Sequence, residues 1–263
     1  MKAWKRIHIT KKRAVCGVLG LLLLAAAYMG VPRAAEKVFA VAEGERRLPI
    51  YCVQTDKPQV SVSFDAAWGA DDTDELLRIL KENDVKATFF LCGYWVEKYP
   101  EEVKKIAAEG HDLGNHSATH PHMSRISSEE IAQELQKCHG NVKKLTGVEM
   151  ELFRPPFGEY DNHVIETAEQ NGYYTIQWDV DSLDWKEQGA EAEIRQVLEH
   201  KHLGNGSIIL FHNDAKYTPK VLDTILKGIK EKGFEIVPIS QMIHRENFEM
   251  DHEGRQILKG KEA

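Results

Sequence analysis

From residue 59 onward the chain alternates short apolar runs with segments whose apolar residues recur every three or four positions. Residues 59–64 read as a strand with Asp65 at its end, and a helix follows over about 73–83. Residues 86–92 (KATFFLC) read as a buried strand, and 101–109 as a helix closed by Gly110. Ser127 with Glu130 three positions later is a capping-box signature. Ile131, Leu135, Cys138, Val142 and Leu145 then mark one helical face, and Gly147 marks its end. Next come a helix near 162–171, a strand over 173–180, a helix near 190–200 and a strand over 207–211. A last helix starts at Thr218-Pro219, where proline is tolerated in the first turn, and stops at Gly233 before a strand over 234–238. Such alternation predicts an α/β fold, a parallel sheet or barrel. In such folds the chemistry gathers at the C-terminal ends of the strands.

Ahead of this body the pattern changes. Residues 14–31 carry no charge and include Leu21-Leu22-Leu23-Leu24. The run is at the lower limit for a membrane span and longer than most signal-peptide cores. The n-region before it, residues 1–13, holds Lys2, Lys5, Arg6, Lys11, Lys12 and Arg13 and no acid. That asymmetry predicts a cytoplasmic N-terminus and an extracytoplasmic body on the cytoplasmic membrane. An uncleaved signal anchor is expected, and a secreted protein cleaved after Ala27 is the alternative. Residues 32–48 read as a tether, 49–245 as the single domain and 246–263 as a polar tail.

The whole chain has a net charge of −7, so the part beyond the basic n-region is more acidic still. A surface of that sign repels a phosphate backbone, and no nucleic-acid partner is expected. Cys16 lies in the apolar run, leaving Cys52, Cys92 and Cys138, an odd number. Cys92 and Cys138 fall on apolar faces and read as core thiols, so no structural disulfide is inferred.

The uncommon side chains all fall at predicted strand ends. Asp65 closes the run Ser63-Phe64-Asp65-Ala66-Ala67-Trp68-Gly69. His116 and His120 lie four apart in Asn115-His116-Ser117-Ala118-Thr119-His120, able to face one point if the backbone makes a helical turn. Arg154-Pro155-Pro156-Phe157-Gly158 is a stiff loop that can hold a guanidinium and expose backbone N–H groups. Asp181-Ser182-Leu183-Asp184-Trp185 follows one strand, and Leu210 and His212 end another. Singly each has an ordinary structural reading as a cap, a loop residue or a core residue. Their joint placement points to a catalytic centre.

In these blocks the sequence resembles the polysaccharide deacetylase family, the NodB-homology enzymes, over residues 49–243. Leu48-Pro49-Ile50-Tyr51 ahead of the Asp65 block most resembles the sporulation-associated, PdaB-like branch. The resemblance implies a distorted (β/α) barrel of about seven parallel strands. It also implies removal of N-acetyl groups from an amino-sugar polymer, with peptidoglycan favoured by the anchor. Carried over by motif, Asp65 matches the general base, Arg154 the arginine that orients it, and His116 and His120 the metal-binding histidines. Phe157 stands where tyrosine is usual and offers its backbone N–H to an oxyanion. Asp184 matches the acid that tunes the catalytic histidine, His212, while Trp185 and Leu210 match the walls around the acetyl methyl. The implied cofactor is a divalent metal such as zinc or cobalt, which polarises a carbonyl and acidifies bound water.

One residue departs from the pattern. Ala66 stands where the family has a second, metal-binding aspartate, and catalytic metal sites normally have three protein ligands. Asp71 or Asp72 would either replace that carboxylate or cap the following helix. Ala66 also supports a second class of function, a glycan-binding protein that kept the fold and lost the metal. A metal-dependent phosphatase or nuclease is disfavoured by the acidic body and by the lack of a phosphate-cradling loop. The anchor reading has a direct check. Mass spectrometry of the mature protein should find residues before Ala14 retained, and an N-terminus at Tyr28 or beyond Val31 would overturn it.

Overall fold

The computed structural model describes residues 46–260, so the n-region, the apolar run and most of the tether lie outside the described residues. Residues 47–260 belong to one compact unit. Its elements run β1 (Cys52–Val53), β2 (Gln59–Ala66), α1 (Thr73–Glu82), β3 (Thr88–Leu91), α2 (Gly93–Lys98), α3 (Pro100–Ala108), β4 (Asp112–Asn115) and α4 (Ser128–Thr146). Then come β5 (Leu152–Phe153), α5 (Asn162–Gln170), β6 (Tyr174–Thr175), β7 (Val180–Asp181), α6 (Ala190–Leu198), β8 (Ile208–His212) and α7 (Thr218–Glu231). The chain finishes with β9 (Glu235–Ile236), α8 (Ile239–Met242), β10 (Phe248–Met250) and β11 (Arg255–Leu258). Among the described residues no helix is long and apolar enough to cross a membrane.

Seven parallel strands form a curled half-barrel in the order β6-β5-β4-β3-β2-β8-β7. The curl follows from chain length. A flat sheet would hold its edge strands about 29 Å apart, at about 4.8 Å per strand. Here the chain passes from β6 at one edge to β7 at the other between Thr175 and Val180. Those five steps span at most about 18 Å, so the edges must turn towards each other. The single strand expected over 173–180 is therefore two short ones, because periodicity records a run of apolar residues but not a change of neighbours.

Period-two alternation sorts β2 into two faces. Val60, Val62, Phe64 and Ala66 join the apolar layer under the helices, while Ser61, Ser63 and Asp65 line the inner face, all buried. Neighbouring strands repeat the rule: Phe89, Leu91, Ile209 and Phe211 lie in the helix-side layer, whereas Phe90 and Ile208 belong to an inner cluster with Ile50 and Val53. Phe64 stacks on Phe89 and on Phe211, its register partners on either side, with centroids 4.9 and 5.6 Å apart. Such aromatic pairs contribute about 1 kcal/mol each beyond burial and oppose a slip of register.

Local signals hold where the chemistry is local. Both halves of the Ser127–Glu130 capping box form, and Gly147 ends α4 in the left-handed conformation at φ 76°. Cys52, Cys92 and Cys138 are free, buried thiols. The segment read as a polar tail contains a hairpin instead: β10 and β11 pair antiparallel, and β11 pairs parallel with β1. Gln256 anchors it, fully buried and bonded to the backbone of His244 in both directions.

Gly206 joins this edge to the barrel. Its N–H donates to Gln59 and its carbonyl accepts from Val53, at φ +81°. A Cβ there would fall 1.7 Å from the Val53 carbonyl oxygen. Gly206→Ala should therefore lower unfolding free energy by about 2–4 kcal/mol, from the left-handed backbone and the forced displacement of β1. Urea denaturation followed by tryptophan fluorescence measures it.

Candidate active site

Asp65 lies at the C-terminal end of β2 on the inner face, and its register partner on β8 is His212. The β2 alternation places Ser63 two residues back on the same face, and Arg154 arrives directly after β5. Arg154 is fully buried: Nη1 donates to Asp65 Oδ1 at 2.7 Å, and Nη2 donates to Ser63 Oγ at 2.9 Å and to the Gln177 carbonyl at 3.1 Å. The guanidinium carbon lies over Phe90 at 4.1 Å and Trp178 at 5.4 Å from the ring centroids. Burial alone would push the Asp65 carboxyl up. The Arg154 cation, then His116 and His212, outweigh it and hold the group below its usual range, ionised at neutral pH.

The opposite shift is held at His212. Its Nδ1 lies 2.8 Å from Asp184 Oδ1, and its backbone N–H donates to Asp184 Oδ2 at 2.7 Å. The turn after Leu183, which has φ 56°, carries Asp184, and Trp185 N donates to Oδ1 at 2.7 Å. Asp184 Oδ1 already accepts from the Trp185 N–H, and a carboxylate oxygen accepts again from His212 Nδ1, which leaves Nε2 outside this bond. Burial would lower the imidazole, but the bond to Asp184 and its charge, then Asp65, hold it above its ordinary value. The half-exposed Trp68 indole stacks on this ring at 5.2 Å and 19°. Its loop is fixed by Asn213 Oδ1 accepting from Ala67 N, Tyr94 OH donating to the Ala67 carbonyl, and Trp95 Nε1 donating to the Gly69 carbonyl.

His116 and His120 do not lie on a helical turn. Ser117 and His120 have φ of 66° and 58°, and this left-handed turn brings the two rings to 4.9 Å. His116 Nδ1 lies 2.7 Å from the Arg154 carbonyl, which only accepts, so that nitrogen bears the proton and Nε2 is a bare lone pair. It lies 3.7 Å from Asp65 Oδ2. Two acceptors facing each other at this distance favour a cation between them. Burial lowers both imidazoles, His120 to about 4, which leaves neutral rings suited to a metal. Phe157, exposed and at φ 60°, lies 4.5 Å from the rings of both His120 and His122, and His122 Nδ1 is 2.7 Å from Glu159.

The third ligand position stays empty of oxygen. Ala66 is fully buried in the helix-side apolar layer. Asp71 is exposed, and Asp72 takes neither role expected of it. It stands at the N-cap of α1 without a side-chain cap bond, and its Oδ2 accepts from the backbone N–H of Asp214 at 2.8 Å. Among the described residues no group of three or more His, Cys, Asp and Glu is placed to hold a metal. The two histidines supply two of the three protein ligands that a catalytic metal site normally has.

Leu210 is buried two residues before His212 on the same face of β8, and Trp185 is half exposed one residue after Asp184. Ser63, Gln177, Trp178, Trp68 and Asn213 were not singled out from the sequence. Only Ser63 had a legible signal, its i−2 spacing from Asp65 on a strand. Five non-glycine residues with positive φ (Ser117, His120, Phe157, Leu183, Asp214) flank this centre, which concentrates backbone strain there.

Comparison with known proteins gives a consistent picture. The polysaccharide deacetylase family model matches residues 53–176. The chain is 34% identical to a peptidoglycan-N-acetylglucosamine deacetylase of Bacillus cereus, over 71% of this chain and 69% of that one. It is 35% identical to the uncharacterised protein YlxY of Bacillus subtilis, over 74% of this chain, and spans only 60% of that relative. Among solved structures, a CE4 family pseudoenzyme from Bacillus anthracis superposes with a TM-score of 0.71 at 35% identity, covering 74% of this chain and 68% of that one. A mutant of that pseudoenzyme with restored enzymatic activity matches with the same TM-score.

The Asp184 bond sets a testable sign. Asp184→Asn removes the charge that opposes burial, so the His212 midpoint should fall from above its ordinary 6.5 to below it. Histidine ring NMR across pH reads this directly. A midpoint that stays high would assign the effect to Asp65 instead.

Proposed function

The chain belongs to the polysaccharide deacetylase family, and from that premise we propose that it hydrolyses N-acetyl groups on an amino-sugar polymer, peptidoglycan of the cell wall. The observation that carries this is the pairing of Asp65 and His212, register neighbours whose proton affinities are pushed apart, the carboxyl below its usual range and the imidazole above its own. Amide hydrolysis needs that pairing. The carboxylate takes a proton from water as the oxygen attacks the acetyl carbon, and the imidazolium gives a proton to the departing sugar nitrogen. Arg154 keeps Asp65 oriented and ionised. The Phe157 N–H serves the developing oxyanion, and Trp185 and Leu210 bound the space for the methyl. A zinc or cobalt ion would be held by His116 and His120 alone and would add polarisation of the carbonyl. The apolar run at 14–31 supports membrane tethering, and the Leu48–Tyr51 block supports a role in sporulation.

A second reading is favoured by Ala66 and by the likeness to a pseudoenzyme: a glycan-binding protein of this fold without turnover. Exposed Trp68, Phe157 and Trp185 are the surfaces on which sugar rings would stack.

One experiment separates the two. The full-length protein is incubated with peptidoglycan and with chitooligosaccharides, and acetate release is measured with and without added zinc or cobalt. Asp65→Asn should lower release by about 100- to 10,000-fold, the usual loss for a general base. Ala66→Asp should tighten zinc binding and raise activity at limiting metal. It should also destabilise the metal-free protein, because the new carboxylate enters an apolar layer, with zinc restoring the loss. If neither wild type nor Ala66→Asp releases acetate with any metal, the binding reading stands and the deacetylase reading falls.

A further inference from the structure

Behind the His212–Asp184 pair lies a buried carboxyl that the chemistry above does not use. Glu193, on the first turns of α6, is 4% exposed, and its Oε1 lies 2.8 Å from the Thr218 hydroxyl at the start of α7. The same hydroxyl lies 3.3 Å from Asp184 Oδ2, the oxygen that also accepts from the His212 backbone N–H. Glu193 Oε2 is buried without a hydrogen-bond partner and borders a cavity of about 10 Å³ that Asp184, Ser182 and Gln196 also line.

Hydrogen-bond accounting limits what this arrangement can be. A threonine hydroxyl has one proton and lone pairs to accept others. With both carboxyls ionised, the hydroxyl satisfies one and faces the other with a lone pair. With Glu193 protonated at Oε1, both contacts of the hydroxyl are made: Glu193 donates to Thr218 Oγ1, and Thr218 donates to Asp184 Oδ2. We propose that Glu193 is a positioning residue for the acid His212, acting through the Thr218 hydroxyl as the far end of a buried chain His212–Asp184–Thr218–Glu193.

Electrostatics agrees with the geometry. Burial pushes Glu193 up to about 7, against the Thr218 bond and with the Asp184 charge. Asp184 is the titratable group facing it; α7 presents the neutral Thr218, and the loop and helix around it present neutral Gln188 and Gln196. Below that value, Thr218 donates to Asp184 and draws on its charge. Above it, the hydroxyl turns to Glu193, and a second negative charge lies behind Asp184. Both changes strengthen the hold of His212 on its proton, so the acid stays charged further into the alkaline range.

The role of Glu193 rests on His212 being the acid, but the linkage is readable without turnover. Histidine ring nitrogens of the full-length protein are titrated by NMR, with His212 assigned by His212→Gln. Wild type should show a second inflection near pH 7 in the His212 signal. Glu193→Gln should erase the inflection and lower the main midpoint by about one pH unit, a tenfold loss of proton affinity, the scale of a nearby charge. Thr218→Val should at least halve the inflection with Glu193 intact, and Thr218→Ser should restore it. A role in packing alone predicts altered melting with the His212 titration unmoved, and that result in Glu193→Gln overturns the proposal. An inflection of full size in Thr218→Val overturns the chain through the hydroxyl. In acetate release, Glu193→Gln should draw the alkaline limb of kcat towards lower pH with KM unchanged. If no form releases acetate, the deacetylase reading fails while the NMR outcome still decides the linkage.

Discussion

The buried pair of Arg154 and Asp65 is the interaction on which the rest of the centre depends. A guanidinium with no solvent exposure is tolerable only if its charge and hydrogens are met inside the protein. Arg154 meets its charge with a carboxylate and two aromatic faces, and its Nη hydrogens with that carboxylate, a serine hydroxyl and a carbonyl, while Nε–H alone is left without a protein partner. Those partners come from β2, from β3 and from the 177–178 segment that joins the two sheet edges. β5 and β2 are three strands apart in the sheet, so the bond crosses the inside of the curl rather than running along it. Removing one member would leave a buried charge, typically at a cost of about 3–5 kcal/mol. The same bond therefore spans the curl that the short edge-to-edge connection imposes and sets the ionisation of the base.

Curvature also explains why the centre has two charge signs. Asp65 and His212 are register partners, yet each is tied to a different structure behind it: Asp65 to Arg154 across the barrel, His212 to Asp184 on the turn after β7. The two ties push the neighbouring groups in opposite directions, carboxyl down and imidazole up. An acid–base pair with proton affinities pushed apart follows from that geometry without any residue being unusual by itself.

Much of this was legible in the chain. Alternation in Gln59–Ala66 put Asp65 on one face, the Ser127–Glu130 spacing gave a helix start, and strand ends pointed to Asp65, Asp184 and His212. What escaped had one cause. Contacts between residues distant in sequence leave no period: Asp72 with Asp214, Thr218 with Glu193, and Arg154 with Gln177. The strand expected over 173–180 broke for the same reason, since its two halves serve opposite edges. The His116–His120 spacing was read correctly as convergence but through the wrong backbone, a left-handed turn in place of a helical one.

Ala66 gains its meaning from the charge balance around it. Asp65 and Asp184 are the two carboxyls of this set, and each is already tied to a basic group, Arg154 and His212, before any metal arrives. The neutral rings of His116 and His120 supply lone pairs but no charge. A divalent cation there would meet Asp65 already engaged by Arg154, with like charges on Arg154 and His212 behind it. A carboxylate at position 66 would add both the third ligand and the missing negative charge. Alanine at this position, in the apolar layer, offers neither, while Asp65, Arg154, Asp184 and His212 keep their contacts with one another.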